Sequence, residues 1–134
     1  MKKMLSLLLV SALVLATPVM AAEVRLSVEQ MLKAGLTATY TSSGLLAANT
    51  YKFRNDGKVF LHFKKSGAGA CTVTITTPNT SQGLAISDQT VTVDASTGDE
   101  MVGPLPISLF NDASSDVSFT ISDTVGLSIA VVRL

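Results

Sequence analysis

The 134-residue chain has one cysteine, one histidine and no tryptophan, and its ten basic residues are balanced by ten acidic ones. Each shortage removes a class of protein. A lone cysteine, Cys71, excludes an internal disulfide, so the fold must rest on its hydrophobic core even where disulfides could form. A lone histidine, His62, gives no support to a catalytic triad or a histidine metal cluster and reads as an exposed or hydrogen-bonded structural residue. With no tryptophan and only two tyrosines, a sugar-stacking face lacks its rings. Balanced charge leaves no basic excess for nucleic acid. Gly67 and Gly69 follow Lys64-Lys65, but the stretch lacks the lysine–hydroxyl ending of a phosphate loop and reads as a turn. Internal repeats, heptads and low-complexity tails are missing as well.

What is present begins with a leader. Met1-Lys2-Lys3 is a basic start, Leu5 to Ala16 is apolar apart from Ser6 and Ser11, and Val19-Met20-Ala21-Ala22 follows Pro18. This is the pattern of a secretory signal, best cut after Ala21 and nearly as well after Ala22. The apolar run is shorter than the roughly 20 residues of a membrane span. No cysteine follows it to take lipid. Residues 1–21 therefore read as a signal peptide and 22–134 as a single exported domain, destined for the periplasm or the medium, with no membrane association after the leader is removed. Losing Lys2 and Lys3 leaves eight basic against ten acidic residues, a net of −2. The charge is uneven: seven basic residues fall between Glu23 and Lys65, and only Arg133 lies beyond Ser66. Such a chain could associate head to tail, although charges of the two halves can equally mix on folding.

Ser27-Val28-Glu29-Gln30 has the form of a capping box, Val28, Met31 and Leu32 share one helical face, and Gly35 offers a left-handed stop. These predict one short N-terminal helix that lies on something apolar. Beyond Gly35 the period becomes two. Val59, Leu61 and Phe63 alternate with Phe60, His62 and Lys64; Cys71, Val73 and Ile75 alternate with threonines; Val91 and Val93 do the same. Val117, Phe119 and Ile121, then Leu127, Ile129 and Val131, continue the pattern. Five strands with one apolar and one hydroxyl-rich face follow. Thr37–Thr41, Thr50–Arg54 and Glu100–Val102 are weaker candidates. Asn55-Asp56-Gly57 predicts a hairpin, and Ser66–Gly69 and Ser96–Asp99 predict further turns. Turns about every ten residues indicate an all-β fold, an antiparallel β-sandwich of jelly-roll or immunoglobulin-like type. The last strand, running to Leu134, is expected to be paired in a sheet.

Candidate sites are sparse. Asp94, Asp99 and Glu100, and Asn111, Asp112 and Asp116, gather in two late loops, but their spacing matches no calcium loop and such residues are ordinary in turns. No cofactor or metal is implied. Cys71, in register with Val73 and Ile75, reads as a small core residue. Gly103-Pro104-Leu105-Pro106 ends a strand, because two prolines stop pairing. Pro104, Leu105, Pro106, Leu109 and Phe110, with Ile107 among them, then form an apolar group that serves either as a core-capping loop or as a contact with a neighbouring subunit.

Several stretches carry a resemblance. They are Phe53 to Lys64 around Asn55-Asp56-Gly57, Cys71 to Thr77, Gly83 to Val93, Met101-Val102-Gly103-Pro104-Leu105-Pro106 with Phe110-Asn111-Asp112, and the ending Ile129 to Leu134. Together they resemble small virion-associated proteins of tailed bacteriophages, of the head-decoration or minor capsid kind. The resemblance implies a non-enzymatic structural protein of the virion, acting through contacts with capsid subunits or copies of itself. The leader supports an alternative: an exported bacterial β-sandwich module for binding or adhesion.

Overall fold

A computed structural model describes residues 20–134, so most of the predicted signal peptide lies outside the described residues. The strands are β1 (Glu23–Arg25), β2 (Glu29–Gln30), β3 (Thr50–Arg54), β4 (Val59–Lys65), β5 (Cys71–Ile75), β6 (Thr80–Ser81), β7 (Leu84–Ala85), β8 (Gln89–Val93), β9 (Gly98–Val102), β10 (Asp116–Ile121) and β11 (Leu127–Arg133). One helical turn, α1 (Ile107–Phe110), sits between β9 and β10. The chain is thus mostly β, as its period-two patterning requires. All five strongly patterned segments are strands, as are two of the three weaker ones. The third, Thr37–Thr41, is irregular, and among the described residues its one backbone bridge to a sheet is Thr41 with Ile129.

The strands form a five-stranded sheet in the order β1-β3-β10-β5-β8, a four-stranded sheet in the order β2-β11-β4-β9, and the small β6-β7 pair. Both larger sheets are mixed. β1 runs parallel to β3, and β2 runs parallel to β11, while the remaining pairings are antiparallel. Buried side chains of both sheets belong to one hydrophobic cluster. At its centre Phe119 of β10 stacks on Tyr51 at 5.5 Å and meets Phe63 of the other sheet edge-on at 5.8 Å, geometries that aromatic quadrupoles favour.

Two expectations are corrected. The N-terminal helix is not formed. Glu29 and Gln30 instead pair with Val132 and Arg133, and the Met31 N–H donates to the Arg133 carbonyl at 2.8 Å. A two-turn helix is marginal alone, whereas the edge of β11 offers backbone partners to the same residues. Glu29, inside the would-be capping box, accepts from the Thr39 N–H at 2.8 Å. Gly35 does take a left-handed φ of 98°, but it closes a turn on the Leu32 carbonyl. The second correction concerns Asn55-Asp56-Gly57, which is not a β-hairpin. β3 lies in the five-stranded sheet and β4 in the four-stranded one, so this turn carries the chain between sheets. The turns at Ser66–Gly69 and Ser96–Asp99 do the same. Turn chemistry specifies a reversal, but burial of the alternating faces decides which sheet receives the next strand.

Cys71 is fully buried in β5, opposite Val93. Its thiol is expected to ignore an aromatic disulfide reagent in buffer and to react stoichiometrically once denaturant unfolds the chain. Rapid labelling of the native protein would contradict this placement.

Candidate functional site

The apolar group predicted around Pro104 divides into two sets. Leu105 and Phe110 are buried and belong to the core. Pro104, Pro106, Ile107 and Leu109 face solvent. Between Pro104 and Phe110 the chain therefore anchors two apolar side chains inward and displays four outward. β9 ends at Val102, as the prolines require. Gly103 follows with φ 134°, and a Cβ there would lie 2.6 Å from the Phe60 Cβ, so only glycine fits.

Asn55 holds this segment in place. It is 2% exposed, and its amide nitrogen donates to the Leu105 carbonyl at 2.9 Å and to Asn111 Oδ1 at 2.7 Å. Its Oδ1 accepts from the Gly57 N–H at 3.0 Å, the local bond of an Asx turn. Asn111 returns a bond to the Asn55 carbonyl at 2.9 Å, and the Asn79 amide donates to the Asn111 carbonyl at 3.2 Å. Three distant parts of the chain thus meet at one end of the molecule. An open cleft of about 380 Å³ adjoins them, lined by Val28, Gln30, Arg54, Asp56, Val59 and Arg133. Arg133 and Asp56 pair across it at 2.6 Å.

Comparison with protein-family models, with curated proteins and with solved structures finds no match to this chain.

Sequence reasoning missed a second polar group. The outer face of the four-stranded sheet carries His62, with Tyr40 Oη 2.7 Å from Nδ1 and Asp99 Oδ1 2.5 Å from Nε2. The hydrogen bond from His62, aided by the charge of Lys64, holds the Asp99 carboxyl below its ordinary value. An ionised carboxylate can only accept, so Nε2 carries the proton, and in the neutral ring Nδ1 accepts from the tyrosine hydroxyl. Lys64 lies 5.0 Å from the centre of the Tyr40 ring. With both ring nitrogens engaged, His62 ties the irregular segment before β3 to the sheet.

Several of the unevenly placed charges pair internally. Arg25 and the buried Asp116 form a bidentate pair, Lys52 meets Glu23 at 2.9 Å and Asp112 at 3.7 Å, and the buried Lys65 meets Asp123 at 3.4 Å. The loop acids mostly serve turns: Asp112 Oδ1 accepts from the Ser114 and Asp116 N–H groups, and Asp123 Oδ1 from that of Val125. Among the described residues, no three His, Cys, Asp or Glu side chains gather as metal ligands. Nor is any helix among them long and apolar enough to cross a membrane.

These acids give a pH dependence. Backbone hydrogen bonds pull Asp112 and Asp123 below 3.8, and His62 does so for Asp99. A depressed folded-state pKa stabilises the fold above the unfolded value and is lost as pH falls through the folded one. The urea midpoint should therefore stay level from about pH 7 to about pH 5 and drop below about pH 4. A midpoint that rises on acidification would refute the assignment.

Proposed function

We propose that this chain is an exported, non-enzymatic structural protein that works through protein–protein contacts, built as a two-layer β-sandwich. The architecture is supported by the shared hydrophobic cluster of the two sheets and by turns that pass the chain from one sheet to the other. The mixed edges at β1 and β2 depart from a wholly antiparallel jelly roll. One observation carries the function: Pro104, Pro106, Ile107 and Leu109 project from a backbone whose neighbouring residues, Leu105 and Phe110, are locked in the core. Apolar side chains grouped on a fixed backbone suit a subunit contact, since a partner gains their burial without ordering a loop.

The resemblance of Met101 to Pro106 and its flanking stretches to phage particle proteins makes capsid subunits, or copies of the chain, the partners of this surface. Mass spectrometry of particles purified from a culture carrying the gene tests this. The chain is expected in the particle fraction, and an Ile107→Asp/Leu109→Asp double variant is expected to be lost from it. Particles that lack the wild-type chain would remove the virion assignment. The apolar leader favours a second reading, an exported binding or adhesion module. Recovery of the chain only from periplasm or medium, free of particles, would support it.

A further inference from the structure

The sequence offers two leader cuts, the better one after Ala21 and another after Ala22. The fold shows what each cut would leave in place. Among the described residues, hydrogen bonding of the N-terminal segment beside β3 starts at Ala22. Its N–H donates to Asn49 Oδ1 at 3.1 Å, and its carbonyl accepts from the Thr50 N–H at 2.9 Å. Glu23 then begins the parallel ladder opposite Thr50. Asn49 is only 4% exposed, so its carbonyl oxygen has limited access to replacement water. A cut after Ala22 would delete both bonds at the edge of the five-stranded sheet. It would also place the bulky Met20 three residues before the scissile bond, where small residues are preferred.

We propose that the Ala21–Ala22 bond is the processing site and that the new α-amino group of Ala22 is seated on Asn49. The inference rests on the export reading above. In the cut, water adds across the amide: Ala21 leaves with the hydroxyl as a carboxylate, and the Ala22 nitrogen takes the protons and becomes an ammonium. The neutral N–H donor seen at Asn49 thereby becomes a charged one, which forms a shorter and stronger hydrogen bond. Leader removal and edge-strand anchoring then share one residue.

The test uses the full chain expressed with its leader in a bacterium, with intact mass and N-terminal sequencing of the exported product. A single species beginning at Ala22 is expected. A product beginning at Glu23, or elsewhere past the leader, overturns the processing site and leaves export standing. Recovery of the uncut chain from cytoplasm overturns export and the site with it. Asn49→Ala in the same full chain checks the seat. Processing should be unchanged, because the leader is cut from an unfolded chain, while Tm falls by about 4–8 °C. An unchanged Tm would remove the role assigned to Asn49.

Discussion

A chain ending at Ala130 is expected not to fold. The four residues removed include the end of β11, which sits inside the four-stranded sheet between β2 and β4. Val131 and Val132 are 3% and 4% exposed. Burying each contributes about 1.5–3 kcal/mol. Backbone bonds along Val131↔Leu61, Val132↔Phe60 and Arg133↔Val59 on one edge, and along Val132↔Glu29 and Arg133↔Gln30 on the other, are lost too. Each adds about 1 kcal/mol. The sum approaches the whole stability of a domain this size, roughly 5–15 kcal/mol. No disulfide offsets the loss, since Cys71 has no partner. Removing Leu134 alone should cost little, because that residue is 57% exposed and is held by one bond to the Lys58 carbonyl. Circular dichroism and urea titration of the two truncations read the contrast. A cooperative transition near the wild-type midpoint for the chain ending at Ala130 would sink the account of a core shared by two sheets.

That contrast also marks what the sequence made legible. Strands β4, β5, β8, β10 and β11 were readable because side-chain alternation follows directly from the pleat, whereas the two-residue, exposed β6 and β7 carry no such pattern. The terminal strand was readable as paired for the same reason. The helix expected at Ser27–Gly35 failed because its signals are local while its competitor is not. A capping box and three apolar positions compete with an open edge of β11 that lies about a hundred residues away in sequence. The hairpin expected at Asn55-Asp56-Gly57 failed similarly. The Asx turn is there, but the flanking strands go to different sheets. At the candidate site the apolar residues were readable as a group, but their division into inward Leu105 and Phe110 and outward Pro104, Pro106 and Leu109 depended on the chain leaving β9. The Tyr40–His62–Asp99 group left no local trace, since Tyr40 and Asp99 lie 22 and 37 residues from the histidine. Asn55 was legible only as a turn former, whereas its side chain also organises the surface proposed to bind partners.

Asn55→Ala should therefore damage both stability and association, and in a specific order. The substitution removes the donor to the Leu105 carbonyl and to Asn111 Oδ1 and the acceptor for the Gly57 N–H. The Leu105 bond is buried, so its carbonyl is left without a partner, at a cost of about 1–3 kcal/mol. With the weaker losses at Asn111 and Gly57, about 2–4 kcal/mol is expected in all. Asn55→Asp should be worse than Asn55→Ala near neutral pH despite its closer shape. It keeps the acceptor for Gly57 but turns a carboxylate oxygen toward two acceptors, in a site that is 2% exposed. Burying an unpaired charge costs more than losing neutral hydrogen bonds. Acid should narrow the gap, because the introduced carboxyl, once protonated, carries an O–H that can donate where the amide did. Urea midpoints of the three proteins near pH 7 and near pH 5 measure this. The surface readout separates positioning from bulk stability. Under conditions where the Asn55→Ala protein remains folded, Pro104, Pro106, Ile107 and Leu109 are unchanged in identity but are no longer held by the Asn55 amide. Partner association should therefore weaken about tenfold or more, as losing roughly 1.4 kcal/mol of preorganisation implies. Full retention of binding by a folded Asn55→Ala protein would mean that the displayed residues do not need their fixed backbone, and the contact would have to lie elsewhere on the molecule.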